Sequence, residues 1–237
     1  MNIALILSGG IGSRLASDVP KQYIKVRNRP IISYCIEKIS QSQYIDRIQI
    51  VAERKWQEPI GKWLQDADVS KKFAGFSKPG ENRQLSILNG LEDIAKYASW
   101  QDCVFIHDAA RPLLSEELIA RCIVAIPGHD GVVPVLPMKD TVYLSEDGKR
   151  ISSLLDRNNV FAGQAPECFV LGKYLEANRR LLPDRIKSIN GSTEPAILAN
   201  MDMAMIPGDE TNFKVTTQAD LERFCQLMQD ISDKKIV

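Results

Sequence analysis

Histidine is scarce in this chain: there are only His107 and His129, and neither has a partner at metal-ligand spacing, which argues against a zinc site. The cysteines Cys35, Cys103, Cys122, Cys168 and Cys225 are widely spread, odd in number and never paired as C-x-x-C. They read as reduced thiols, mostly packed in apolar surroundings, rather than as a disulfide framework. Charge of one sign is not in excess either, since 30 basic residues balance 30 acidic ones. That removes any global field for nucleic acid or a membrane surface, so a phosphate-rich ligand must be held by locally gathered cations. No stretch approaches the roughly 20 apolar residues a bilayer span requires. The opening Met1 to Gly10 segment has no basic flank, and its apolar run is too short for a signal peptide. There is no internal repeat and no low-complexity linker. A cytoplasmic protein is expected.

Present instead is ordinary globular material: 237 residues, 44% hydrophobic and 25% charged, enough for one large domain with a modest appendage. Short β-branched runs alternate with amphipathic helical patterns, the mark of an α/β fold with a mostly parallel sheet flanked by helices. The spacing predicts strands at Ile3 to Leu7, around Ile48 to Val51, at Val104 to Ile106, Val132 to Leu136 and Met203 to Ile206. Helices are predicted from Pro30, placed at the first helical position, to Ile39, and from about Lys55 to Gln65, where Pro59 blurs the start. Others follow Asn82 and Ser115 as N-caps, run from Leu171 to about Leu181, and close the chain from Gln218 to about Ile231. Residues 138–160 break the pattern. Asp147-Gly148 between two strand-like runs, Thr141 to Leu144 and Arg150-Ile151, predicts a tight hairpin, whose apolar residues need a partner surface.

Two motifs carry chemistry. The first strand empties into Ser8-Gly9-Gly10-Ile11-Gly12-Ser13-Arg14, which is neither a Walker A loop nor a dinucleotide fingerprint. Glycines directly after a strand let backbone amides approach phosphate oxygens, and Arg14 with Lys21 in Pro20-Lys21-Gln22-Tyr23 can neutralise a triphosphate. Alone the loop also fits a plain turn, and either cation a solvated surface charge. The second motif is Val104 to Pro112, where Asp108 ends a buried strand at the edge where open α/β sheets bind ligands. A carboxylate there suits Mg²⁺ shared with substrate phosphates, although a local pair with Arg111 is the plainer reading.

Taken in order, GGIGSR, PKQY, PGENRQLSILNGL, HDAARP, KDT, DRN, a G-Q-x-P segment and NFKVTT resemble the 2-C-methyl-D-erythritol 4-phosphate and D-ribitol 5-phosphate cytidylyltransferases over nearly the whole chain. The resemblance implies a Rossmann-like nucleotidyltransferase fold over residues 1–237. It also implies a homodimer whose projecting β-arm, residues 138–160, reaches the neighbouring active site. Ser8, Gly9, Gly10, Gly12, Arg14 and Lys21 would hold CTP through its phosphates and ribose. Gly80, Arg83 and Ser86 would lie along cytosine and ribose. Asp108 would be the Mg²⁺ ligand beside the nucleotide, with Asn212 next to the metal and Lys214 on the α-phosphate. Thr141 and Arg157 on the arm, with Arg111, would meet the acceptor, Arg157 across the dimer.

The acceptor's phosphate would then attack the α-phosphorus of CTP and expel pyrophosphate, a reaction that depends on positioning and charge rather than on a general base. The markers for the acceptor divide. Gly191-Ser192-Thr193-Glu194-Pro195-Ala196 lacks the aspartate of the T-D-E-A segment usual in methylerythritol enzymes, and GGIGSR and Gly163-Gln164-Ala165-Pro166 incline to a ribitol-type enzyme. His107 to Pro112 and Asp156-Arg157-Asn158 incline to a methylerythritol-type one. The balance leans slightly to D-ribitol 5-phosphate. A sugar-1-phosphate nucleotidyltransferase using UTP or dTTP is the remaining alternative.

Overall fold

A computed structural model describes residues 1–10, 19–66 and 71–233. In chain order these residues form β1 (Asn2–Leu7), β2 (Lys25–Val26), β3 (Arg29–Pro30), α1 (Ile31–Gln41), β4 (Arg47–Val51), α2 (Arg54–Asp66), β5 (Phe73–Ser77), α3 (Arg83–Ile94), β6 (Cys103–Asp108) and α4 (Glu116–Val124). There follow β7 (Gly131–Pro137), β8 (Val142–Leu144), β9 (Ser153–Leu155), β10 (Phe161–Gly163), β11 (Glu167–Val170), α5 (Leu171–Arg179), α6 (Glu194–Leu198), β12 (Met203–Pro207) and α7 (Gln218–Asp233).

The main sheet has the order β10-β7-β11-β6-β1-β4-β5, with β12 also paired to β7. Strands β6, β1, β4 and β5 run parallel, as do β12 and β7. The exceptions are β11, antiparallel to both its neighbours, and β10. Alternation along β1 explains how one strand serves two cores. Ala4 and Ile6 join Ile32, Cys35, Ile39, Leu118 and Cys122 under α1 and α4. Ile3 and Leu5 join Leu88, Leu91, Tyr174 and Leu175 under α3 and α5. Both faces of the central strands are covered, which is why their sequence is continuously apolar rather than alternating.

The caps form as expected: Asn82 accepts from the Leu85 amide and Ser115 from the Leu118 amide. Three details differ. Pro30 is not the first helical residue; it sits in extended backbone, ends β3 and precedes α1. Pro59 lies inside α2, tolerated there at the loss of one backbone hydrogen bond. The arm hairpin is real, but its second strand is Ser153–Leu155, pairing Val142 with Leu155 and Leu144 with Ser153. The turn is a longer loop, shaped by Asp147 accepting from the Lys149 and Arg150 amides at 2.8 Å, so Arg150-Ile151 is loop and not strand. No helix among the described residues is long and apolar enough to cross a membrane.

Candidate active site

The C-terminal ends of β1, β4 and β6 and the N-terminus of α3 open on one cleft of about 660 Å³. Its wall includes Gly9, Gly10, Lys21, Gln22, Gly80, Arg83, Ser86, Asp108 and Lys214. Eight of these were expected from sequence as ligand-binding, and the fold gathers them from five separate stretches of chain. Gly12 and Arg14 lie outside the described residues.

At the floor, Asp108 is buried, and the described cations converge on it. Arg83 Nη2 and Nε donate to Oδ1 at 3.1 and 3.3 Å, while Lys214 Nζ stands 3.0 Å and Arg111 Nε 3.5 Å from Oδ2. Burial alone would raise the Asp108 carboxyl, but Arg83, Lys214 and Arg111 outweigh it and hold the group well below the usual carboxylate range. The carboxylate is therefore ionised at any working pH. Among the described residues no cluster of three or more His, Cys, Asp or Glu can hold a metal ion. Asp108, the carboxylate expected to take Mg²⁺, would offer it at most two oxygens, so substrate phosphates and water would have to supply the other ligands.

The glycines have steric reasons. A Cβ on Gly9 would lie 2.6 Å from Pro79 Cβ, so the loop after β1 touches the loop before α3. A Cβ on Gly80 would fall 2.4 Å from Leu85 Cβ and 2.7 Å from the Leu85 carbonyl carbon. This close approach lets the Gly80 amide donate to Ser86 Oγ at 3.0 Å. Gly80→Ala must push the first turn of α3 aside. Overpacking of this kind costs about 1–3 kcal/mol, so we expect the melting midpoint to fall by roughly 2–4 °C per kcal/mol; a melting curve matching the wild type would contradict the packing described.

Several expected residues support the wall rather than form it. Ser8 is buried, with Oγ 2.6 Å from the Tyr23 hydroxyl, which donates to the Ser8 carbonyl at 3.0 Å. Arg111 is turned inward, donating to the Asn212 carbonyl at 2.7 Å. Asn212 is itself fully buried. Its amide nitrogen donates to Ala165, while Oδ1 has no hydrogen-bond partner. Thr141 and Arg157 are exposed on the arm and absent from the wall; Arg157 Nη1 donates to the Lys139 carbonyl at 3.0 Å. His107 is neutral, its imidazole pushed down to about 4 by burial, and its Nε2 lies 3.0 Å from the Arg111 carbonyl, fixing the turn after Asp108.

Gln22 was missed. Its amide donates to the carbonyls of Ser8 and Gly10, both at 2.8 Å, and so braces the described start of the glycine loop. Its place directly after Lys21 was visible in the sequence, but nothing there distinguishes a loop-bracing glutamine from a surface one.

Comparison with known proteins agrees with this geometry. Residues 2–229 match the family described as 2-C-methyl-D-erythritol 4-phosphate cytidylyltransferase. A ribitol-5-phosphate cytidylyltransferase of Vibrio parahaemolyticus is 32% identical over 222 residues, 93% of this chain and 92% of the relative. A 2-C-methyl-D-erythritol 4-phosphate cytidylyltransferase of Rubrobacter xylanophilus is 33% identical over 225 residues, 92% of this chain and 91% of the relative. In fold, the crystal structure of 4-diphosphocytidyl-2C-methyl-D-erythritol synthase from Anaerococcus prevotii superposes with a TM-score of 0.82 at 24% identity, covering 96% of each chain.

Proposed function

This chain belongs to the 2-C-methyl-D-erythritol 4-phosphate cytidylyltransferase family, and on that premise we propose that it transfers CMP from CTP to D-ribitol 5-phosphate, releasing pyrophosphate and forming CDP-ribitol. It is a CTP-dependent nucleotidyltransferase acting on a sugar-alcohol phosphate. The observation that carries the mechanism is the convergence of Arg83, Arg111 and Lys214 on the buried Asp108 beside two glycine loops. Such preorganised cations stabilise charge that develops on phosphate oxygens without reorganising at the moment of reaction. Lys214 is poised to leave Asp108 for the α-phosphate, with Lys21, which lines the same cleft, serving the same tail. Mg²⁺, when bound at Asp108, neutralises charge on the reacting phosphates. The acceptor phosphate is already ionised near neutral pH, so no residue need act as general base.

The lean to ribitol rests on the ribitol-type relatives and on the segment Gly191 to Ala196, which lacks the aspartate of the T-D-E-A pattern. 2-C-methyl-D-erythritol 4-phosphate is the second reading, favoured by Asp156-Arg157-Asn158 and by the Rubrobacter relative. Pyrophosphate release across a matrix of nucleotides and polyol phosphates decides between them. In the same matrix CTP should be used far faster than UTP or ATP, because Gly80 and Ser86 hold a rigid edge against which cytosine is read. Equal rates with UTP would remove the base-reading role and favour the sugar-1-phosphate alternative.

The working unit in this proposal is a homodimer joined through the arm. Tyr143, Leu144 and Leu154 on a two-stranded sheet, and Ile151 in the loop between its strands, are each about half exposed or more, and a lone hairpin of that kind is marginal in water. Thr141 and Arg157, remote from their own cleft wall, would then serve the partner's acceptor site. A cytoplasmic setting suits five cysteines that are all free.

A further inference from the structure

Glu167 is the first residue of β11, and because β11 runs antiparallel to β6, pairing Glu167 with Ile106, it arrives at the cleft end of the sheet behind Arg83. It is a buried carboxylate that no motif singled out. Its Oε2 accepts from Ser192 Oγ and its Oε1 from Thr193 Oγ1 at 3.1 Å. Ser192, also buried, accepts in turn from Arg83 Nη1 at 2.6 Å. The remaining guanidinium nitrogens of Arg83 face Asp108. The Ser192 carbonyl is pinned by the Tyr174 hydroxyl at 2.5 Å, which receives Gln84 Nε2 at 3.1 Å.

The result is a continuous relay, Asp108–Arg83–Ser192–Glu167, with a carboxylate at each end and one guanidinium between them. Among the described residues Glu167 has no ion pair of its own, and a buried carboxyl without one is costly to keep. Burial, with the Asp108 charge, holds this carboxyl above its ordinary value, although the Arg83 charge and the Ser192 and Thr193 hydroxyls act against that rise.

We propose that Glu167 is a positioning residue for cytidylyl transfer, holding Arg83 against the cleft wall through Ser192. The proposal rests on the reading of this cleft as the CTP site. With Glu167 in place, Arg83 is shared between two carboxylates, and Asp108 can turn to the incoming nucleotide without leaving a guanidinium unbalanced. Without that charge, Arg83 belongs to Asp108 alone, and CTP must break the whole pair.

Glu167→Gln keeps the shape and one acceptor oxygen but removes the charge. It should raise KM for CTP about 10-fold, the scale of losing one charge-assisted hydrogen bond, while kcat stays within about twofold. Adding Thr193→Asp returns a carboxylate to the same network and should restore KM to within about threefold of the wild type. A Glu167→Gln enzyme that folds and keeps wild-type KM overturns the proposal. So does a double variant that melts like the wild type yet recovers nothing, for then the charge is not what matters. If Glu167→Gln does not fold, Ser192→Ala decides: a comparable rise in KM supports the relay and an unchanged KM refutes it. Should the wild-type protein release no pyrophosphate from CTP with any polyol phosphate, the assigned reaction fails instead. Calorimetric CTP affinities of the same variants then judge Glu167 separately.

Discussion

Lys214→Ala should lower kcat by roughly 10²-fold or more, the scale of one preorganised charge contact, while leaving the melting temperature near that of the wild type. Lys214 is half-buried and 3.0 Å from Asp108, so its removal still leaves that carboxylate two guanidinium partners. The fold tolerates the loss; the transition state does not. Lys21→Ala should behave in the same way. Asp108→Asn is expected to differ in kind. It strands three cations around a neutral amide, and breaking a buried pair from the shared side costs about 3–5 kcal/mol, so activity and melting temperature should fall together. The sign of the pH dependence follows. A carboxyl held low in the folded state contributes stability that is fully present above its unfolded pKa and is lost progressively as pH falls from that value through the folded one. Here that value lies below the usual carboxylate range. Acidification into and below the ordinary carboxylate range should thus erode this contribution progressively, although the folded-state Asp108 itself stays ionised; near-normal turnover in all these variants would discard the map of the cleft.

The second large effect concerns the arm. Neither an Arg157→Ala homodimer nor an Asp108→Asn homodimer should be active, yet mixing the two should recover activity. In the mixed dimer both defects fall in one site, leaving the other with wild-type Asp108 and a wild-type Arg157 from its neighbour. Statistical exchange makes about half of the dimers mixed, each with one working site, so roughly a quarter of wild-type turnover is expected, a consequence of isologous pairing. Sedimentation showing an active monomer, or exchange without recovery, would confine Arg157 to its own chain and require another explanation for the exposed Leu144, Ile151 and Leu154.

The parts of the site legible in the sequence were those whose residue type has a local reason. Asn82 and Ser115 declare helix starts through their side chains. Asp108 declares itself by following an apolar strand, and the glycines by following another. What could not be read was whatever depends on chain reversal or on which way a side chain turns. Glu167 opens an antiparallel strand, so a search for carboxylates at the C-terminal ends of strands passes over it. Strand β5 was missed because Phe73–Ser77 carries Gly75 at φ +150° and pairs irregularly with β4. Ser8, Arg111 and Asn212 have the right chemistry for ligands and sit in the right motifs. Only the fold shows them bonded inward, to Tyr23, to Asn212 and to Ala165 respectively. The hairpin was foreseen from Asp147-Gly148, but the Asp147 side chain bonds to two amides and lengthens the turn, something an Asp-Gly dipeptide alone does not announce.

The contact between Gly9 and Pro79, with Gly80 wedged on Leu85, ties the described start of the loop after β1 to the loop before α3. For protein engineering this matters more than either loop's own chemistry. Grafting a different base-reading segment at residues 79–86 would carry its backbone displacement straight into the neighbouring loop, so altered base preference and altered handling of the phosphate tail should be inherited together. A programme to change the nucleotide would have to transplant both loops at once, taken from one donor, as a matched pair.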